Sequence, residues 1–282
     1  MTPPAPPSCP SPTPSGVTSA PPLFGADAYS PLEIARRVEA VGVAKARLPV
    51  LSQVLLGILA GAFIGLGALA YTLVAADATL GPAAQRLLGG LAFSLGLVMV
   101  TVAGAELFTG NNLLAMAWAG GQVSTGELLR NWAIVAASNL VGAAGLAALA
   151  WAAGHGGLDG GAVGRTVQRI ALAKVQLPWQ EAFFRGVLCN VLVCMAVWMA
   201  LAGRSVVDKV VAVVFPVTAF VAAGFEHSIA NLYFFPLAAL LGAPLDAAAA
   251  AASLLAVVAG NLVGGSVLVA LTYWVIYLRP AR

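Results

Sequence analysis

Residues 104–111 read GAELFTGN and residues 224–231 read GFEHSIAN. Gly104, Glu106 and Asn111 return as Gly224, Glu226 and Asn231, each 120 positions on. Both octets interrupt long apolar stretches. Residues 87–126 run for 40 residues broken by Glu106 alone among Asp, Glu, Lys and Arg, and 210–245 run for 36 broken by Glu226 and His227. A helix needs roughly 20 apolar residues to cross the hydrocarbon core, so each stretch is too long for one crossing and too short for two with a turn. A helix broken partway across the membrane accounts for the excess. Irregular backbone survives at that depth only where protein or a water-lined cavity satisfies its polar groups. The breaks are expected at 104–112 and 224–231.

Four further uncharged stretches, 48–76, 131–158, 186–203 and 247–278, give ordinary crossings, the third extended by Phe183 and Phe184 across Arg185. The fold class expected is an all-α membrane protein of six transmembrane helices. The correspondence continues beyond the octets: Asn-Leu-Val-Gly at 139–142 recurs at 261–264, an offset of 122. Three crossings per half require the second half to insert upside down, which predicts two inverted three-helix repeats, 48–158 and 175–279, with the second and fifth helices broken. That is the sequence sign of a channel or transporter.

Composition agrees. Of 282 residues, 60% are hydrophobic and 9% charged, well short of the roughly one-quarter charged residues of a soluble domain. A soluble enzyme is excluded, and so is a nucleic-acid reader, because a net charge of +3 is spread without a basic block. Residues 1–22 hold nine of the 17 prolines and lack the pattern of a cleaved signal peptide, so 1–30 are expected to be a disordered proline-rich tail ahead of a pore domain over 31–282. Nine Lys and Arg fall on the side of the termini (Arg36, Arg37, Lys45, Arg47, Arg130, Arg204, Lys209, Arg279 and Arg282) against five opposite (Arg86, Arg165, Arg169, Lys174 and Arg185). The positive-inside rule then places both termini in the cytoplasm of a cell whose inner membrane holds the chain. All six tryptophans lie near predicted crossing ends, as an interfacial belt requires.

His227 is the histidine inside a predicted crossing; His155 falls in a glycine-rich loop. Ionisable groups at that depth are functional by default, the alternative being a buried imidazole satisfied by a carbonyl or by Glu226. An apolar setting favours the neutral ring, ready to take or give a proton as an anion arrives. Glu106 and Glu226, with Asn111 and Asn231, read as structural polar groups, each carboxylate accepting backbone N–H groups freed by the break. Thr109 has no polar counterpart, since Ile229 stands 120 positions on; its hydroxyl is open to a ligand or to His227, or else caps the new half-helix. Lys174, with Arg165 and Arg169 nearby, either concentrates anions at the mouth or snorkels at the interface. Asn190 follows it by 16 residues, a little over four helical turns. Phe93, Leu97, Leu107, Phe108 and Phe220 lie near the breaks and suit either dry constrictions or ordinary packing. Gly57, Gly61 and Gly65 imply close helix contact. Cys9, Cys189 and Cys194 are too few for a disulfide framework and read as inert. No metal site and no cofactor are expected.

GAFIGLG (61–67), GAELFTGN, FRGVLCNVLVCMAVW (184–198), FEHSIAN (225–231) and GNLVGG (260–265) resemble the formate/nitrite transporter family across about residues 31–278. The resemblance implies an aquaporin-like fold in a homopentamer, with one pore per protomer for small monovalent anions such as formate, nitrite or hydrosulfide. By position, the family's central histidine matches His227, its partner threonine Thr109, its outer lysine Lys174 and its further polar residue Asn190. The family's apolar slits match Phe93 and Phe220 towards one vestibule, and Leu97, Leu107 and Phe108 towards the other. The proline-rich tail departs from the family pattern.

A bare anion in an apolar slit loses hydration worth many kcal/mol, against roughly 1 to 3 kcal/mol returned by a hydrogen bond. Protonation removes the difficulty. The expected mechanism is a weak-acid anion drawn in by Lys174, protonated near His227 as donor or relay, and passed as the neutral acid; a strict anion channel without proton transfer is the alternative. An intramembrane enzyme or haem subunit lacks support, with no Gly-x-Ser-x-Gly, no His-Glu-x-x-His and no second intramembrane histidine.

Overall fold

The computed structural model describes residues 28–279; residues 1–27 of the proline-rich tail, Cys9 among them, lie outside the described residues. Ala28 bridges Gly203, the Tyr29 N–H donates to the Ala202 carbonyl at 3.0 Å, and the Tyr29 ring lies between the guanidinium groups of Arg37 and Arg204. Ser30 then starts α1 (Pro31–Ala46) with a reciprocal cap, its hydroxyl accepting the Glu33 N–H while the Glu33 carboxylate accepts the Ser30 N–H.

The order continues α2 (Val50–Ala76), α3 (Pro82–Met99), α4 (Ala115–Ala119), α5 (Thr125–Ala152), α6 (Leu158–Val175), α7 (Trp179–Ala202), α8 (Val206–Ala222), α9 (Ser228–Leu240) and α10 (Ala247–Leu262). A π-helical turn extends α3 to Gly104, a 3-10 turn over Gly110–Leu114 leads into α4, and π-helical stretches carry α10 on to Leu278. Five segments among the described residues are long and apolar enough to cross a membrane: Val50–Ala76, Pro82–Gly104, Thr125–Ala152, Trp179–Ala202 and Ala247–Leu278. The chain is a multi-pass membrane protein. α8 and α9 have 17 and 13 residues, about 26 and 20 Å at 1.5 Å per residue, each shorter than the roughly 30 Å hydrocarbon core.

Two ordinary crossings start earlier than charge counting suggests. α5 begins at Thr125 rather than 131, because Ser124 and Glu127 form a second reciprocal cap, and it ends at Ala152 rather than 158. α7 begins at Trp179 rather than 183, and Glu181 pairs with Arg185 one turn on at 2.8 Å. A charged pair at a helix end stays in the helix, so counting uncharged residues trims it.

Helices pack at glycines. Gly57, Gly61 and Gly65 face α5 within the same chain, and a Cβ on Gly61 or Gly142 would run into the carbonyl of Asn139 or Ile58. The pattern repeats between α7 and α10, where a Cβ on Gly260 or Gly264 would strike the carbonyl of Phe183 or Val187. Without side chains at these points the backbones approach closely enough for direct van der Waals contact. The tryptophan belt is partial. Trp118, Trp151 and Trp179 are exposed, but Trp198 is buried against Tyr273 with ring centroids 4.1 Å apart, and the Trp132 indole donates to the Asn111 carbonyl.

Candidate functional site

Both interrupted segments break where expected, and both begin the break at a left-handed glycine: Gly104 has φ +82° and Gly224 has φ +72°. An L side chain is strained there, and glycine is not. The backbone groups freed by each break meet partners in the same pattern. At the first, the Glu106 N–H donates to the Leu56 carbonyl at 3.2 Å and the Phe108 N–H to Asn139 Oδ1 at 2.9 Å; Asn139 Nδ2 donates to the Gly57 and Glu106 carbonyls. At the second, the Glu226 N–H donates to the Arg185 carbonyl at 3.2 Å and the Ser228 N–H to Asn261 Oδ1 at 3.0 Å; Asn261 Nδ2 donates to the Gly186 and Glu226 carbonyls. One amide therefore satisfies two backbone groups left over by the break and ties them to a carbonyl of the neighbouring helix.

The carboxylates do something other than accept backbone N–H groups. Glu106 takes Lys45 Nζ at 2.8 Å and Asn111 Nδ2 at 2.6 Å, and Glu226 takes Lys174 Nζ at 2.7 Å and Asn231 Nδ2 at 3.0 Å. The lysines neutralise them and the side-chain amides donate to them, because Asn139 and Asn261 already occupy the backbone. Lys174 is thus ion-paired, with its side chain 15% exposed, rather than a free charge at a mouth. It ends α6, whereas Asn190 lies on α7, so the two share no helix. Lys45, absent from the candidates read in sequence, had a signal: Lys45 and Lys174, like Gly57 and Gly186, lie 129 positions apart.

His227 is the N-cap of α9. Its Nδ1 accepts the Ala230 N–H at 3.2 Å, and its Nε2 lies 3.1 Å from Thr109 Oγ1. A neutral imidazole offers one donor and one acceptor; with Nδ1 accepting from an amide, the proton sits on Nε2 and points at the threonine hydroxyl. His227 is 3% exposed and Thr109 fully buried. Phe220 stacks on the imidazole at a centroid distance of 6.0 Å, and Phe93 meets both rings edge-on at 5.8 and 6.5 Å.

Two cavities approach this contact. One, of about 230 Å³, is lined by Phe93, Phe220, His227, Lys174, Arg185 and Glu226 among others. The other, of about 360 Å³, is lined by Leu97, Leu107, Thr101, Lys45, Glu106 and Lys209 among others. Phe93 and Leu97 sit one turn apart on α3, about 6 Å along its axis, so a thin apolar layer divides the two spaces. Phe108, Thr109 and Asn190 line neither of these cavities. Phe108 is buried, and Asn190 Nδ2 donates to the Thr109 carbonyl, Asn112 Oδ1 and the Asn261 carbonyl at 3.2, 2.8 and 2.7 Å. The buried, free Cys194 packs with its Sγ 3.4 Å from the Thr109 carbonyl.

Residues 32–275 match the formate/nitrite transporter family. The chain belongs to that family. Relatives in the formate/nitrite transporter family include the formate channel FocA of Escherichia coli K12, 38% identical over 273 residues that cover 90% of this chain and 96% of that protein. The nitrite transporter NirC of the same strain is 38% identical over 235 residues, covering 79% and 81%. Among solved structures, an FNT family ion channel superposes with a TM-score of 0.80 at 32% identity, covering 86% of this chain and 98% of that one. A pentameric formate channel with formate bound gives 0.75 at 39% identity, covering 82% and 98%. The motif resemblance read from sequence therefore holds across the membrane region, and these relatives are channels and transporters.

Proposed function

We propose that this chain forms a channel or transporter for small monovalent weak-acid anions, formate, nitrite or hydrosulfide, with transport linked to protons at His227. The observation that carries the reading is the Thr109–His227 contact in an apolar layer between two cavities. Each cavity has a lysine–glutamate pair in its wall together with a further cationic side chain, Lys209 in one and Arg185, exposed and paired with Glu181, in the other. These walls attract an anion, and the apolar layer rejects it unless it is neutralised. Thr109 and His227 form the central site. Phe93 and Phe220 close it on one side and Leu97 and Leu107 on the other, with Phe108 packed behind. Lys174 lines the cavity and keeps Glu226 neutralised, and Asn190 supports the Thr109 loop.

Six crossings in two inverted three-helix repeats, 48–158 and 175–279, fit the matched hydrogen bonds at the two breaks, with α8 and α9 together making the fifth crossing. We assign one pore per protomer in a homopentamer, in the inner membrane, with both termini cytoplasmic and the proline-rich tail leading into the pore domain.

One observation favours a second reading. The lone pair on Nδ1 is engaged by the Ala230 N–H, so the ring takes a second proton only by giving up the α9 cap. A His227 that donates a hydrogen bond without passing a proton makes a strict anion-selective channel. Uptake of formate, nitrite and hydrosulfide into proteoliposomes across a pH gradient, with membrane current recorded, separates the readings. Electroneutral uptake that rises with outside acidity and is lost in His227→Phe supports proton linkage. Current that carries the whole flux, with no pH dependence, overturns it, and absence of anion flux overturns both.

A further inference from the structure

The two breaks share their carboxylates, asparagines and lysines, yet a second polar cluster lies against the first break alone. The Thr109 carbonyl accepts from Asn190 Nδ2 at 3.2 Å and from Cys194 Sγ at 3.4 Å. Asn112 Oδ1 accepts from Asn190 Nδ2 at 2.8 Å, Asn112 Nδ2 donates to the Phe108 carbonyl at 3.0 Å, and Ser266 Oγ donates to the Asn112 carbonyl at 3.3 Å. The four side chains come from the broken segment, from α7 and from the π-helical end of α10.

The corresponding places at the second break are apolar throughout. The 120 offset sets Leu232 against Asn112, the 129 offset sets Gly61 and Gly65 against Asn190 and Cys194, and the 122 offset sets Ala144 against Ser266. Room for the cluster comes from Gly265, where a Cβ would meet Asn112 Cβ and Cys194 Sγ at 2.8 Å each. The orientation of the Asn190 amide follows from its neighbours. Three oxygens surround Nδ2, and turning the amide over would set Oδ1 against all three.

Thr109 is the residue this asymmetry serves, since Ile229 at the other break has no hydroxyl to aim. We propose that Asn112, Asn190, Cys194 and Ser266 are positioning residues that hold the Thr109 carbonyl on one side so that its hydroxyl stays on His227 Nε2 on the other. None of the four lines either cavity described above; they act through Thr109. This rests on the proposed transport role of the Thr109–His227 pair, and it makes break one the rigid partner and His227 its counterpart on break two.

The test uses the full chain in proteoliposomes with formate uptake, together with 15N spectra of His227 in membranes. Asn112→Leu, which installs the residue of the other break, and Cys194→Ala, the milder change, are each made alone and with Thr109→Val. About a fivefold to tenfold rise in KM is expected for Asn112→Leu, which removes both hydrogen bonds of the Asn112 side chain, and about twofold for Cys194→Ala, which removes one weak bond. In the Thr109→Val background both effects are expected to vanish, because the group being positioned is gone. The His227 Nε2 resonance is expected to move the same way in Asn112→Leu as in Thr109→Val. Equal KM penalties with and without Thr109, or an unmoved resonance in Asn112→Leu, overturn the proposal. If Thr109→Val leaves transport unchanged, the transport role of the pair fails, while the resonance still decides whether the cluster positions the hydroxyl.

Discussion

His227 Nδ1 accepts the backbone N–H of Ala230 at 3.2 Å, so one buried imidazole is at once the cap of α9 and the partner of Thr109. The two tasks use opposite edges of one ring. A substitution can therefore remove one and leave the other.

His227→Asn keeps a capping side chain at the start of α9, whereas His227→Phe removes both the cap and the donor to Thr109. Losing an N-cap costs about 1 kcal/mol. The asparagine variant is expected to melt near the parent and the phenylalanine variant several degrees lower, in detergent thermal-shift measurements. Both are expected to lose at least tenfold in formate uptake. Full transport by His227→Asn would show that capping, and not the ring, is what the site requires.

Glu226 is nearly buried and is neutralised by Lys174 at 2.7 Å. Lys174→Met leaves the carboxylate without its cation, which for buried pairs costs about 3 to 5 kcal/mol. A somewhat smaller loss, about 2 to 4 kcal/mol, is expected because the lysine is partly exposed. Lys174→Met with Glu226→Gln removes both charges and is expected to recover most of that stability. Denaturation midpoints of the single and double variants check this; a double variant no better than the single would show that the pair is not coupled.

Asn139 and Asn261 each close a break with three bonds to backbone groups. Asn139→Asp keeps the shape and the acceptor for the Phe108 N–H but turns the donor into a second acceptor facing the Gly57 and Glu106 carbonyls. The protein is expected to lose assembled yield in membranes, and Asn261→Asp to do the same, as read by size-exclusion of detergent extracts. A variant at either asparagine that assembles and transports normally would contradict this account of the break.

The Glu33 carboxyl is held below the usual carboxylate range, first by the Ser30 hydroxyl and then by the Ser30 N–H. A group whose folded value is lowered stabilises the fold above its unfolded value, about 4.3 for glutamate, and loses that contribution as pH falls through the folded value. Amides in the first turn of α1 are expected to exchange faster, relative to intrinsic rates, as pH drops below about 4. Glu33→Gln is expected to flatten that dependence. An unchanged profile in the variant would assign the acid sensitivity elsewhere.

Much of the fold was legible as one-dimensional pattern. Charges inside apolar runs longer than one crossing and shorter than two marked both interruptions, and the 120-residue recurrence of Gly104, Glu106 and Asn111 paired them. Gly104 and Gly224 do take the left-handed conformation that ends a helix, a local property of the chain. Helix ends were misplaced at 131 and 183, since paired charges at a helix end remain helical.

The sequence alone determined that two helices must break, where, and that a lone imidazole accompanies the second break, because length, charge and glycine are properties of short segments. Tertiary structure decided which groups satisfy those breaks: Asn139 and Asn261 for the backbone, Lys45 and Lys174 for the carboxylates, and Asn190 for the Thr109 carbonyl. Those partners stand between 20 and 90 residues away in several cases, as with Lys174 to Glu226, |i−j| = 52, and Asn190 to Thr109, |i−j| = 81. A hydrogen bond depends on distances of about 3 Å, which helix packing sets and spacing along the chain does not.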